Sequence, residues 1–120
     1  MHKNWPEIAA GLAAPLKELR GGTPEVMKSF SALARAALEA RALDSKTKEL
    51  VALGISVATR CDACIAFHAE AAVRQGATRD EIMETMGMAI YMGAGPSVMY
   101  AAQAVEAYDQ FAARARNATV

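Results

Sequence analysis

Residues 45–76 read SKTKELVALGISVATRCDACIAFHAEAAVRQG, and the polar residues near the middle determine whether this run forms one helix or two. In a single helix, a rise of about 1.5 Å per residue would separate Glu49 from Cys61 by about 18 Å. A turn at residues 58–60 would instead give two antiparallel helices, with Thr59 as the capping residue of the second. We expect the turn.

The turn would bring an acid and a base together. Glu49 lies ten residues before Thr59, and His68 lies nine residues after it. In an antiparallel hairpin these two positions come level, so a carboxylate meets an imidazole. Asp62 would then lie in the first turn of the second helix, where the helix dipole favours a negative charge.

The second half of the hairpin carries two thiols and a histidine on one stripe. Cys61, Cys64 and His68 are spaced i, i+3 and i+7, so neighbouring members lie on the same helix face. Two helical cysteines three residues apart are close enough for a disulfide. The positive end of a helix favours the thiolate, which points to Cys61, whereas contact with a histidine base points to Cys64. The pattern predicts a redox-active pair.

Less specific interpretations compete with this one. Cys61 and Cys64 could be small buried core residues, as free cysteines often are. Together with His68 and Glu49 they could also hold zinc, although no second Cys or His pair completes a structural site. Glu49 taken alone is typical of a solvated surface residue.

The rest of the chain also predicts helices. Breaks fall at residues 21–24 and 93–96, where Pro24 and Pro96 fit first helical positions, and residues 78–81 match a capping box. Asn4 and Pro6 predict a helix start, which Pro15 would kink or end. No segment alternates apolar and polar residues as a half-buried strand would. We therefore expect residues 1–120 to form a single all-α domain of five or six helices.

Composition narrows the classes of function. The 120-residue chain has 13 basic and 13 acidic side chains, so no basic excess favours binding to nucleic acid. No apolar run has the roughly 18 residues that a membrane span needs, and the first residues lack a secretory signal. We expect a cytoplasmic protein, in which the two cysteines are redox-active or metal-binding rather than a structural staple. His2 is expected to lie in a disordered terminus.

The spacing of Glu49, Cys61, Cys64 and His68 resembles the carboxymuconolactone decarboxylase superfamily, in its alkylhydroperoxidase D-like branch. The neighbouring segments KTKELVAL and EAAVRQGAT are similar too, and the resemblance covers roughly residues 24–110. It implies an all-α fold that assembles into homotrimers or homohexamers. It also implies thiol-dependent peroxide reduction through a proton relay. We expect small hydroperoxides as the substrates and no bound cofactor or metal.

The same resemblance suggests a role for each residue. Cys64 would be the thiolate that attacks the peroxide, and Cys61 would supply a proton and then close the disulfide. His68 would be the base, and Glu49 would orient it or relay through it. A lipoyl-type dithiol or a thioredoxin-like protein would be the reductant. The best-known members carry a further histidine just before the second cysteine, where this chain has Ala63.

Two rival functions remain from the sequence. One is a decarboxylase-like or isomerase-like enzyme that uses His68 and Glu49 for acid–base work, although decarboxylases of the superfamily generally lack the cysteine pair. The other is a non-enzymatic assembly protein whose cysteines sense redox state. In each case we expect a homo-oligomer, because the methionine-rich helix at residues 82–92 is apolar on several faces.

Overall fold

The computed structural model describes residues 1–118, which form helices and no strand. In chain order these are α1 (Trp5–Ala10), α2 (Ala13–Gly22), α3 (Pro24–Leu38), α4 (Ser45–Ala58), α5 (Asp62–Arg74) and α6 (Arg79–Ala118). The expected all-α class with five or six helices is confirmed.

The core lies between α4, α5 and α6, and α1 packs across α5 and α6. Its fully buried larger side chains come from four helices: Trp5, Leu53, Val57, Ile65 and Ile82. Most of the remaining core positions on α5 and α6 are alanines. Because alanine has a small side chain, it allows the backbones of these helices to pack close together.

Helix α6 bends where the sequence predicts a break. Ala94 has non-helical backbone angles (φ 56°, ψ −143°), and Pro96 follows it within the helix. Proline lacks an N–H donor, so the helix bends there, although it continues beyond. Although α6 spans 40 residues, within residues 1–118 neither it nor any other helix combines the length and the apolarity needed to cross a membrane.

The N-terminal helices differ from the prediction. Asn4 caps α1 as expected, because its Oδ1 accepts a hydrogen bond from the Glu7 amide (3.2 Å). The prediction that Pro15 kinks or ends this helix is wrong. Helix α1 ends at Ala10, and Pro15 lies in the first turn of α2, where the missing N–H would have had no helical partner.

Helices α2 and α3 form an arm that stands apart from the core. Neither helix has a buried residue. The base of the arm is fixed to α4, where Lys48 Nζ donates to the carbonyls of Ala37 (2.8 Å) and Glu39 (2.6 Å). These bonds satisfy carbonyl groups at the C-terminal end of α3, which its own helix leaves unpaired.

Candidate active site

The turn between α4 and α5 consists of residues 59–61 and is a Schellman motif. The Arg60 amide donates to the Val57 carbonyl (3.2 Å), and the Cys61 amide donates to the Ser56 carbonyl (3.1 Å). These are the two bonds of that motif, and Arg60 takes the left-handed position with φ 57°. Cys61, the last residue of the motif, is also the N-cap of α5.

The turn therefore lies where the sequence predicts it, but Thr59 does not cap the second helix. Thr59 is the C-cap of α4, and its hydroxyl donates to the Ile55 carbonyl (2.9 Å). Cys61 takes the capping role because its sulfur accepts a hydrogen bond from the Cys64 amide (3.2 Å). Sulfur is a weak acceptor, so residue type alone favours Thr59 over Cys61 as the helix cap.

The other end of α5 closes with the same motif around a glycine. The Gly76 amide donates to the Val73 carbonyl and the Ala77 amide to the Ala72 carbonyl (3.0 Å each), and Gly76 has φ 80°. Glycine takes this conformation without a steric penalty, whereas Arg60 takes it with one.

This difference predicts opposite effects of two substitutions. The left-handed conformation costs an L-residue about 1–2 kcal/mol, and glycine costs about 0.5–1 kcal/mol in unfolded-state entropy. We expect Arg60→Gly to raise the free energy of unfolding by about 0.5–1 kcal/mol in urea titrations. Gly76→Ala should lower it by about 1 kcal/mol, since a Cβ there meets no atom within 4 Å and only backbone strain is added. A loss of stability in Arg60→Gly would contradict this account of the turn.

Glu49 and His68 meet across the hairpin, as the sequence predicts. The Glu49 Oε1 to His68 Nδ1 distance is 2.8 Å. The Glu49 side chain is 11% exposed and that of His68 is 30% exposed, so the acid lies behind the imidazole. An ionised carboxylate only accepts hydrogen bonds, so Nδ1 is assigned as the donor. His68 Nε2 is then the ring nitrogen available to take a proton.

Cys61 and Cys64 form a disulfide at the start of α5. Their Cα atoms are 5.2 Å apart, and both residues are partly exposed. His68 follows Cys64 by one helical turn on the same helix. The interpretation of the cysteines as buried core residues is therefore wrong.

The four side chains divide into a disulfide and an acid–base pair rather than a metal cage. Within residues 1–118, no group of three or more His, Cys, Asp or Glu side chains is arranged to hold a metal ion. The Glu49–His68 pair can instead accept and release protons next to the Cys61–Cys64 disulfide, which can be reduced and re-formed. A zinc site built from these four residues is not supported.

The N-terminal segment adds a residue that the sequence did not predict near the site. Lys3 Nζ forms an ion pair with Asp62 Oδ2 (2.6 Å) and lies 5.5 Å from the centre of the Trp5 ring. Asp62 directly follows Cys61, so this lysine places a positive charge at the start of α5. No local pattern links residues so far apart in sequence, which is why sequence reasoning missed the contact.

A glutamate and a glutamine on α6 hold this N-terminal segment. Glu106 accepts hydrogen bonds from the amides of His2 (2.6 Å) and Lys3 (3.0 Å) and from the indole of Trp5 (2.7 Å). Gln110 accepts from the Trp5 amide (2.8 Å) and donates to the Lys3 carbonyl (2.7 Å). The expectation of a disordered terminus at His2 is therefore wrong, because these bonds fix its backbone to α6.

The hydrogen bonds that Glu106 accepts predict that the stability of the protein depends on pH. Partial burial raises the pKa of Glu106, but hydrogen bonds from His2, Trp5 and Lys3 outweigh it and hold the pKa below the ordinary value of 4.5. A lowered carboxyl pKa stabilises the fold above pH 4.5, and this stabilisation is lost as the pH falls through the lower folded value. Glu106→Gln should therefore cost about 1 kcal/mol at pH 7 and little near pH 2.

Urea titrations followed by the fluorescence of Trp5, the one tryptophan of the sequence, measure this difference. Glu84→Gln is the matched control, because Glu84 is an exposed glutamate on the same helix. A cost of Glu106→Gln that stays constant between pH 7 and pH 2 would contradict the assigned role of the carboxylate.

Comparison with known proteins identifies the family. The Carboxymuconolactone decarboxylase family profile matches residues 24–107, from the start of α3 into the second half of α6. The chain belongs to this family, and its Cys61–Cys64 pair is consistent with the alkylhydroperoxidase D-like branch. The family resemblance stated from the sequence is confirmed.

Three relatives are similar over most of their length. An uncharacterized protein from Haemophilus influenzae is 39% identical over 108 residues, which cover 90% of this chain and 96% of the relative. The apo crystal structure of a carboxymuconolactone decarboxylase family protein from Legionella pneumophila is 48% identical, with a TM-score of 0.88 over 90% of this chain and 96% of that one. A family member from Thermotoga maritima, for which an antioxidative role has been suggested, is 28% identical, with a TM-score of 0.78 over 92% and 97% of the two chains.

Proposed function

We propose that the protein is a thiol-dependent peroxidase that reduces small hydroperoxides. One observation carries the proposal: a partly exposed Cys61–Cys64 disulfide lies one helical turn from an imidazole that a buried carboxylate orients. A base held by an acid beside a thiol is the arrangement that activates a sulfur nucleophile. The antioxidative role suggested for the Thermotoga relative supports the same chemistry.

The first step oxidises Cys64. Its thiol proton passes to His68 Nε2, and the thiolate attacks the terminal oxygen of the hydroperoxide. A sulfur–oxygen bond forms while the oxygen–oxygen bond breaks, so sulfur is oxidised to a sulfenic acid and the peroxide is reduced to an alkoxide. The Cys61 thiol gives its proton to the alkoxide, which leaves as the alcohol.

The second step forms the disulfide seen in the structure. The Cys61 thiolate attacks the Cys64 sulfenic sulfur, and the departing hydroxide takes the proton held on His68 to leave as water. Two thiols and one hydroperoxide thus give one disulfide, one alcohol and one water. The Glu49 carboxylate stabilises the imidazolium that exists between the two steps.

A dithiol then restores the enzyme. One of its thiolates attacks the disulfide to form a mixed disulfide, and the second thiol releases the reduced enzyme by closing its own disulfide. A lipoyl-type dithiol or the Cys pair of a thioredoxin-like protein has this chemistry. We place the reaction in the cytoplasm, where such dithiols are kept reduced.

Peroxide consumption tests the proposal directly. The protein is supplied with hydrogen peroxide or tert-butyl hydroperoxide together with dihydrolipoamide, or with thioredoxin and its reductase. We expect many peroxide molecules to be consumed per chain with at least one reductant. Consumption of a single equivalent, with no turnover for any reductant, would overturn the proposal and favour a redox sensor.

The rival acid–base function is separated by the cysteines. An enzyme that uses only His68 and Glu49 would retain its activity in the Cys61→Ala, Cys64→Ala double variant. A thiol peroxidase would lose all turnover in that variant. Circular dichroism on the same sample verifies that the helices are intact.

A further inference from the structure

An ion pair joins the N-terminal segment to a residue between the two cysteines. Lys3 Nζ lies 2.6 Å from Asp62 Oδ2, and Asp62 is the first residue of α5, directly after Cys61. Consecutive Cα atoms are about 3.8 Å apart, and Cα atoms two residues apart in a helix are about 5.4 Å apart. The backbone of Asp62 therefore lies close to both Cys61 and Cys64.

Reduction of the disulfide places like charges together at this helix start. The proposed mechanism needs a thiolate first at Cys64 and then at Cys61, and Asp62 is the acidic residue nearest to both in sequence. A like charge nearby disfavours the ionised form of a group, whereas an opposite charge favours it. An unpaired carboxylate at Asp62 would therefore oppose both thiolates.

The core holds the backbone of Lys3 in place. The Lys3 amide donates to Glu106 (3.0 Å), and the Lys3 carbonyl accepts from Gln110 (2.7 Å). Trp5, two residues later, is fully buried, and Lys3 Nζ lies 5.5 Å from the centre of its ring. The lysine therefore extends to Asp62 from a backbone position that α6 fixes.

The ion pair acts on local charge more than on the stability of the fold. The side chains of Lys3 and Asp62 are 30% and 39% exposed. Ion pairs with this exposure contribute little to stability, because water screens the charges and ordering two long side chains costs entropy. Removal of either partner should therefore leave the fold intact while it changes the electrostatic potential at the start of α5.

We propose that Lys3 promotes thiolate formation at Cys61 and Cys64 by neutralising the Asp62 carboxylate. Because it acts through Asp62, Lys3 is a positioning residue and not a catalytic one. Its place in a peroxidase rests on the proposed function, whereas its effect on the thiols needs no peroxide.

The other charged groups around the sulfur pair come from each element that packs there. Lys3 supplies the charge from the segment before α1. The remaining groups are Glu49 on α4, Arg60 in the turn, His68 on α5 and Glu106 on α6. All of these stay unchanged in the variants of Lys3 and Asp62, so a difference from the wild type reports the ion pair.

Alkylation of the reduced protein by iodoacetamide across a range of pH tests the proposal, with mass spectrometry to locate the label on each cysteine. Lys3→Met removes the charge and keeps an unbranched apolar side chain beside Trp5. We expect it to raise the pH of half-maximal alkylation by about 0.5–1 unit and to slow alkylation at pH 7 about three- to tenfold. Asp62→Asn should lower that pH, because the charge of Lys3 is then unopposed.

The double variant Lys3→Met, Asp62→Asn separates electrostatics from structure. It lacks both charges, and its alkylation rate should return to within about twofold of the wild type. Lys3→Arg keeps the charge and should behave as the wild type. Arg74→Met is the matched control, because it breaks another ion pair of α5, with Glu70, about 18 Å along the helix from Asp62. Its alkylation should not change.

An unchanged alkylation profile in Lys3→Met would overturn the inference. Equal slowing in Lys3→Met and in the double variant would also overturn it, because displacement of the N-terminal segment would then explain both. Peroxide turnover is measured on the same samples. Wild-type turnover with an unchanged Lys3→Met profile would leave the proposed function intact and overturn only the inference. A shifted and rescued profile in a protein without turnover would support the inference and overturn only the proposed function.

Discussion

Cys64→Ser is expected to reduce peroxide turnover at least about a thousandfold. A serine hydroxyl is not ionised at neutral pH and forms neither a sulfenic acid nor a disulfide, so the reaction has no first step. Peroxide consumption in the presence of a dithiol measures the loss. Turnover within tenfold of the wild type would contradict the role of Cys64.

Cys61→Ser is the matched variant and distinguishes the two cysteines. We expect it to consume one equivalent of peroxide and then stop, with a sulfenic acid on Cys64 that dimedone traps. Cys61 caps α5, and its sulfur accepts the Cys64 amide, which stabilises a thiolate at Cys61, whereas His68 acts on Cys64. If Cys64→Ser instead is the variant that consumes one equivalent, the two roles are exchanged.

The second large effect concerns the acid–base pair. His68→Asn is expected to slow turnover by about 10²- to 10⁴-fold, the usual range for loss of a general base. Glu49→Gln should also slow it, because an amide oxygen still accepts from Nδ1 but carries no charge to stabilise the imidazolium. Alkylation of the reduced protein by iodoacetamide should slow in both variants, which reports thiolate formation without any peroxide.

Glu70→Gln provides the control for these substitutions. Glu70 lies on α5 two residues after His68, but it pairs with Arg74 (3.2 Å) and not with the imidazole. The turnover and the alkylation rate of the Glu70→Gln variant are expected to equal those of the wild type. A loss in Glu70→Gln as large as in Glu49→Gln would mean that general charge on α5, and not the oriented pair, determines the rate.

The hairpin could be predicted from the sequence because helix spacing and capping act locally. Gly76 marks the end of α5 by its residue type, and the count of residues on each side of the turn pairs Glu49 with His68. The detailed junction could not be predicted in the same way. Arginine as a residue type does not indicate a left-handed position. Threonine is preferred at helix starts, so the sequence predicts Thr59 as the cap, whereas the structure has Cys61 there.

Contacts between distant parts of the chain could not be predicted from the sequence. The N-terminal segment reaches α6 through Glu106 and Gln110, more than a hundred residues further along. Backbone amides donate most of those hydrogen bonds. Every residue type except proline has a backbone N–H, so no side-chain pattern indicates which amides form them. The helical periodicity of α3 could be read from the sequence, but not the fact that none of its residues is buried within the chain.

The shared position of Cys61 links electron transfer to conformational stability. Its sulfur caps α5 and is also one half of the disulfide, so the start of α5 has a different electrostatic partner in the two oxidation states. A thiolate accepts amide hydrogen bonds more strongly than a neutral sulfur. In a thermodynamic cycle, any extra stability that the helix start gives to the folded, reduced protein makes the disulfide easier to reduce in the folded protein than in the unfolded one. The two free-energy differences are equal. The start of α5 thereby influences the dithiol–disulfide equilibrium of Cys61 and Cys64 without contacting the peroxide.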